Sequence, residues 1–173
     1  VNELLIRRSV PADNAAIESL YPRAFPDEDL VPLVRSLLRD DGIVTSHVAC
    51  VDRLLAGHVI FTTCGVEGSG AKAALLGPLA VVPSRQRHGI GSALVRAGLE
   101  SARESGVDLV CVLGDPRFYG RFGFVAETAI EPSYPLPPEW AGAWQSQRLS
   151  DSKAAAGKLI VPPQWREPAL WGP

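Results

Sequence analysis

Cysteine is scarce in this chain: three residues in 173, an odd number and far apart. That argues against a disulfide-built secreted domain and points to a reducing compartment, the cytoplasm. Charge of one sign is also lacking. Seventeen Lys and Arg stand against nineteen Asp and Glu, a formal net charge of −2, which gives no support to a polybasic nucleic-acid binder. Long apolar runs are absent: none approaches the roughly 18 residues a spanning helix needs. The opening text VNELLIRRSV reads as neither a signal peptide nor an anchor. Neither nucleic acid nor membrane is therefore expected as a partner. No tryptophan precedes Trp140, and there is no methionine anywhere; neither absence names an activity.

What is present is an ordinary globular composition. Apolar residues make up 46% and charged residues 21%, enough for one domain with a real core and little room for a second. Leu4 to Arg8 reads as a first strand. Pro11, Ile17, Leu20 and Tyr21 suit a helix that Pro22 and Pro26 are expected to break. A second helix is expected from about Asp29 to Arg39, ended by Asp40-Asp41-Gly42. The period then changes. His47 to Val51 and Leu55 to Thr62 read as strands joined by a tight turn at Asp52-Arg53. A third extended run, Ala73 to Val82, follows a loop centred on Gly68-Ser69-Gly70.

The text from Pro83 to Gly91 leads into a strong helix expected to run to about Ser105, with Ile90, Leu94, Ala97, Gly98 and Ala102 on its buried face. Gly106 stops it, and Val107 to Leu113 is a nearly unbroken apolar strand. That strand–helix–strand unit implies a locally parallel pair. A short helix and another strand fit residues 114–124. Ala143 to Leu149 and Gly157 to Val161 are the last strand candidates, after a proline-rich loop from Pro132 to Pro138. The expected class is α/β, a mixed sheet with helices on its faces.

The most informative segment is Leu79-Ala80-Val81-Val82 running into Arg85-Gln86-Arg87-His88-Gly89-Ile90-Gly91-Ser92. Glycines at 89 and 91 let the backbone turn tightly and let a bulky anion approach its amides. A helix starting there leaves its first N–H groups unpaired, and its dipole attracts phosphate. Arg85, Arg87 and His88 add positive or potentially positive charge. A Rossmann fingerprint would need a third glycine at the first strand turn, and a Walker loop a following Gly-Lys. The alternative is that both glycines simply open a well-packed helix. Gly77-Pro78 inside the preceding strand suggests a bulge or splayed edge, because proline cannot donate to a ladder.

Leu79-Ala80-Val81 leading into Gln86-Arg87-His88-Gly89-Ile90-Gly91 resembles the acetyl-coenzyme A site of the GCN5-related N-acetyltransferases (GNAT). Gly114-Asp115-Pro116-Arg117-Phe118-Tyr119-Gly120-Arg121-Phe122-Gly123-Phe124 is similar to the second signature of a bacterial subgroup of predicted N-acetyltransferases in that superfamily. The resemblance covers roughly residues 4–130, and Pro137-Pro138-Glu139-Trp140 with Gly157-Lys158-Leu159-Ile160-Val161 is also like that subgroup. It implies a largely antiparallel central sheet that splays between the strands ending near Val82 and Leu113. Pantetheine would pair with backbone around Leu79 to Val81, and amides from Gln86 to Ser92 would bind the pyrophosphate, with Arg85 and Arg87 either assisting or standing as surface charges. About 130 residues would build the coenzyme core of one domain, leaving residues 131–173 for the acceptor side.

The activity so implied is acetyl transfer from acetyl-CoA to the primary amine of a small molecule or peptide, by direct attack in a ternary complex. The alternatives are a non-catalytic acyl-CoA-binding or interaction module, and an acyltransferase with a longer donor. Tyr119 is the candidate acid for the leaving thiolate; the competing reading packs it with Phe118, Phe122 and Phe124. Asp115 is a candidate for orienting a substrate ammonium or acting as a base through water, or else a helix cap. Arg121 suits an anion or a salt bridge. No direct carboxylate base is evident, since Glu67 lies well upstream of the loop. His47 and His58 lack metal-ligand company, and Cys50, Cys64 and Cys111 read as small hydrophobes. Asp27, Glu28 and Asp29 either attract a cationic amine or lie on a solvated face. Trp140 and Trp144 wall a pocket or anchor the tail, and Trp165 and Trp171 do the same or support a homodimer.

Overall fold

The computed structural model describes residues 3–151 and 155–172; residues 1–2, 152–154 and 173, the last two groups within the expected acceptor-side segment, lie outside them. The chain divides into two compact units, Val1–Thr62 with Gly77–Ser101, and Thr63–Leu76 with Ala102–Pro173.

In the first unit, β1 (Leu4–Arg8) pairs antiparallel with β2 (Val44–Val51), from Leu4↔Val51 to Arg8↔His47. β2 in turn pairs antiparallel with β3 (Leu54–Val66). The two-residue turn Asp52-Arg53 has φ of 50° and 69°, the geometry that matches strand twist in a hairpin. Alternation along the strands then assigns faces. Val48 pairs with His58 and Ala49 with Gly57, so the two pairs point to opposite sides. α1 (Asn14–Ala24) covers the first side, where the Tyr21 hydroxyl lies 2.7 Å from His58 Nδ1. α3 (Ile90–Glu104) covers the second, with Ile90 and Leu94 against Gly57 and Gly98 against the Phe61 ring. α2 (Val31–Leu38) joins α1 through Arg35 Nε and Glu18 Oε1 at 2.8 Å.

In the second unit, the first part of β4 (Ser69–Val81) pairs in parallel with β5 (Leu109–Leu113), from Ala73↔Leu109 to Leu76↔Val112. β8 (Trp144–Arg148) lies antiparallel to β5 and carries β6 (Val125–Ala126). β9 (Gly157–Ile160) pairs with the end of β3 and, in parallel, with β7 (Ile130–Glu131). α4 (Pro116–Tyr119) follows β5. The fold is thus a mixed α/β one, with mostly antiparallel strand pairing and flanking helices, as expected.

Several local expectations change. Pro22 lies inside α1 rather than ending it. It removes one hydrogen bond near the helix end, while the buried Ile17, Leu20 and Tyr21 hold the helix and Phe25 N–H still bonds Tyr21 O at 2.8 Å. The expected loop around Gly68-Ser69-Gly70 is only the turn between β3 and β4, so β4 begins at Ser69 rather than Ala73. β5 begins at Leu109; Asp108 N–H still reaches Lys72 O at 2.8 Å.

Trp144, Trp165 and Trp171 are buried within the second unit, their rings 6.0 and 6.1 Å from one another through Trp171. Their indole N–H groups are also used: Trp144 donates to Ile130 O and Trp171 to Trp165 O. They anchor the tail to its own chain. Among the described residues no helix is long and apolar enough to cross a membrane.

Candidate functional site

The first group of candidate residues lies in the first unit. β4 ends at Val81, the turn Pro83–Arg85 follows, and α3 begins at Ile90. Leu79 and Val81 are half-buried and Ala80 is buried. Arg87 has φ of 64° and Gly89 has φ of 83°. Two left-handed residues within three positions fold the chain back just ahead of the helix. The helix's first bond here runs from Ala93 N–H to Gly89 O at 3.0 Å. The amides of Ile90, Gly91 and Ser92 therefore have no acceptor within the helix, and they stand at its positive end.

Gln86 is exposed; its N–H bonds Pro83 O at 3.3 Å, so it is not among the open amides, and its Nε2 donates to Val81 O at 3.1 Å, tying the loop to the strand it leaves. Arg87 and His88 are exposed. Arg85 has a different setting: with Arg23 it flanks a groove of about 220 Å³ floored by Val51, Leu54, Leu55 and Val82.

The second group lies in the second unit. β5 runs into Gly114, and Asp115 caps α4 by accepting from Arg117 N–H at 2.9 Å. The same carboxylate takes Arg117 Nε at 3.2 Å and its terminal nitrogen at 3.1 Å. The Arg117 guanidinium and backbone N–H hold the Asp115 carboxyl below the usual range. This is the arrangement of a cap and ion pair, with both oxygens committed, and a poor one for a proton acceptor.

Tyr119 ends α4, half-buried among aromatic rings. Phe118 meets it edge-on at 4.9 Å and Phe124 at 5.7 Å. Burial pushes its phenol up to about 12. It stays protonated at neutral pH and can donate a hydrogen bond to a developing anion. The aromatic cluster and the donor role are compatible, because the rings pack the body of the side chain. Arg121 lies with its guanidinium carbon 5.2 Å from the Phe118 ring centroid and its Nε bonding Arg117 O at 3.3 Å.

Other groups are disposed of by their surroundings. Glu67 is exposed in the β3–β4 turn. Glu127, which the sequence did not mark, is nearly buried between β6 and β7 and accepts from Ser146 Oγ, Arg148, and the amides of Ala129 and Ile130. Burial pushes its carboxyl up, but those hydrogen bonds and the Arg148 charge outweigh it and hold the carboxyl low. A carboxylate with four donors is a structural anion, not a base. All three cysteines are buried, and burial drives the Cys64 thiol up to about 12 and Cys111 higher still. A thiolate nucleophile is thereby disfavoured.

His58 is fully buried between Tyr21 and Ser46, 2.7 Å from each, and Ser9 Oγ donates to Ser46 Oγ. Desolvation, with His47 nearby, brings its pKa down to about 3. Both histidines belong to the core. Asp27, Glu28 and Asp29 are exposed between α1 and α2.

Residues 43–126 match the acetyltransferase (GNAT) domain family. YhbS of Escherichia coli, described as an uncharacterised N-acetyltransferase, is 34% identical over 153 residues, covering 86% of this chain and 89% of that protein. This chain belongs to the GNAT family. The crystal structure of Escherichia coli YhbS in complex with CoA superposes with a TM-score of 0.86 at 30% identity, covering 96% of this chain and 94% of that one. A GNAT acetyltransferase from Brucella melitensis, in complex with acetyl-CoA, gives 0.75 at 26% identity, covering 94% and 97%. The Gln86–Gly91 loop and the Tyr119 corner thus lie in a GNAT acetyltransferase chain.

Proposed function

We propose that this protein transfers an acetyl group from acetyl-CoA to a primary amine. The observation that carries the reading is the turn from β4 into α3, where Ile90, Gly91 and Ser92 present amides without helical acceptors to an anion. The Gln86 N–H stays on Pro83 O, so the amides that bind the pyrophosphate are those between Gly89 and Ser92, with Arg87 beside them, and backbone around Leu79 to Val81 pairs with the pantetheine amides. The crystallised relatives that bind CoA and acetyl-CoA support this choice of cosubstrate.

In the reaction a neutral amine nitrogen attacks the thioester carbonyl carbon. Backbone N–H near Val81 polarises the carbonyl oxygen. The C–S bond then breaks, its electron pair goes to sulfur, and the nitrogen's surplus proton leaves to solvent. Tyr119 donates a hydrogen bond to that sulfur. A phenol at about 12 is a weaker acid than a thiol near about 8.5, so complete proton transfer to sulfur runs uphill. Stabilisation of the developing thiolate is the role its acidity allows. Asp115 shapes the corner and is assigned no proton. Three buried thiols, none in a disulfide, support a cytoplasmic setting.

The test is thiol release from acetyl-CoA across a panel of amines, including polyamines, amino acids and peptides, with calorimetry of coenzyme binding. Amine-dependent release supports the reading. Binding without release favours an acyl-CoA-binding module, release only with propionyl or succinyl donors indicates a longer-chain enzyme, and failure to bind any acyl-CoA overturns all three.

A further inference from the structure

We propose that Gln145 is a positioning residue for Tyr119, an inference that rests on the donor role of that phenol and extends it. Gln145 lies on β8, registered opposite Val112 of β5, and is 2% exposed. A carbamoyl group is costly to bury unless its hydrogen bonds are made. Its Nε2 donates to Gly114 O at 3.0 Å and to Ala143 O at 3.3 Å. Both partners are carbonyl oxygens, so only one orientation of the amide fits, with nitrogen toward them.

Gly114 is where the chain leaves the sheet. Its N–H is held by Ala143 O at 2.9 Å, continuing the β5–β8 ladder one step past Leu113↔Trp144. Its carbonyl meets the Gln145 side chain. One peptide group after another is thus pinned at the point where the strand turns into α4.

Tyr119 is placed by that same point. A Cβ built on Gly114 would come 2.4 Å from Tyr119 Cε2 and 2.9 Å from Cδ2, so the ring lies directly on the Gly114 backbone, in space only glycine leaves. Asp115, the next residue, accepts the N–H groups of Phe118 and Tyr119 through its carbonyl, each at 3.0 Å. Phe118 and Phe124 close the ring's other sides. The ring therefore takes its position from Gly114, and Gly114 takes its orientation from Gln145. A leucine would fill the buried site equally well by volume; what it lacks is the donor. Displacement of a hydrogen-bonding group by about 1 Å can lower turnover by about a hundredfold.

The experiment measures kcat and KM for thiol release from acetyl-CoA, with glycinamide as the amine, for Gln145→Leu, Gly114→Ala and Tyr119→Phe, and for each of the first two combined with the third. Each variant is checked for folding by circular dichroism and for CoA binding by calorimetry. In wild-type background both Gln145→Leu and Gly114→Ala should lower kcat about tenfold, with KM for acetyl-CoA held within about twofold. In the Tyr119→Phe background neither should lower it further, because the group they position is gone. Equal losses in both backgrounds, or unchanged kcat in both variants, overturn the positioning role. Unchanged kcat in Tyr119→Phe overturns instead the donor role on which it rests.

A second readout needs no acceptor. Nuclear Overhauser contacts between the Tyr119 ring and the Gly114 α-protons should weaken in Gln145→Leu; their retention at full strength overturns the proposal. Should Gln145→Leu fail to fold, Gly114→Ala and Gln145→Met decide it by the same criteria.

Discussion

The loop from Val82 to Ser92 and the corner from Leu113 to Phe124 both carry candidate chemistry, yet they are built from different material. In the loop the working groups are backbone amides, and the side chains matter chiefly by what they permit: Gly89 at a φ of 83°, Gln86 tied back to Val81. In the corner the working group is one phenol, and a set of neighbours exists to aim it: Gly114 beneath the ring, Phe118 and Phe124 beside it, Asp115 capping the helix that bears it. A backbone-built site tolerates changes of side chain and fails on changes of conformation. A side-chain-built site does the reverse.

The largest effect expected is therefore in the corner. Tyr119→Phe keeps the ring and its packing and removes only the hydroxyl, so kcat should fall about a hundredfold or more while CoA affinity by calorimetry stays within about twofold. A matching loss of affinity would break the comparison, by showing that the phenol serves binding. The next effect belongs to the loop. Gly89→Val puts a β-branched residue where φ is 83°, a conformation such residues rarely adopt. CoA binding should weaken at least about tenfold, and unaltered affinity would mean that loop geometry does not present the amides.

A third prediction concerns the core beneath α1. His58, which lies opposite Val48 on the α1 side of β3, is held neutral down to about 3. An unfolded chain takes up a proton near about 6.5 that the folded chain refuses. This residue's contribution to stability is thus complete above about pH 6.5 and falls by about 1.4 kcal/mol per unit as pH drops below it. Denaturant melts between pH 7 and 5 should show this slope in the wild type and a shallower one in His58→Gln. The smallest effect is Gln86→Ala, which removes one exposed hydrogen bond to Val81 O. CoA affinity should fall by less than about tenfold; a larger loss would show that a side chain, rather than backbone, carries the loop.

The two regions were also unequally legible. The loop could be read in sequence because its device is local: a strand, glycines at fixed spacing and a helix start are all written within thirteen residues. The Asp115 cap was legible for the same reason, since Asp before Pro is a helix-start pattern. Gln145 and Glu127 gave no such sign. Gln145 sits in Trp144-Gln145-Ser146-Gln147-Arg148, a polar strand text, and only the pairing of β8 with β5 brings its amide to Gly114, 31 residues back. Glu127 reads as a surface residue until Ser146 and Arg148 of β8 converge on it. Pro22 misled because local propensity favours a break, whereas burial of Ile17, Leu20 and Tyr21 carries the helix through.

Taken by itself, the order of residues determined the mixed sheet, the strand–helix–strand unit with its anion-binding turn, and the aromatic text that contains Tyr119. Each follows from periodicity, turn chemistry or short-range spacing. The tertiary structure alone decided what the polar side chains do. It saturated Asp115 and Glu127, buried the thiols, His47 and His58, raised the Tyr119 phenol and placed Gln145 behind Gly114. The physical reason is that hydrogen bonding and desolvation depend on neighbours distant in the chain, and those neighbours exist only once the strands have paired.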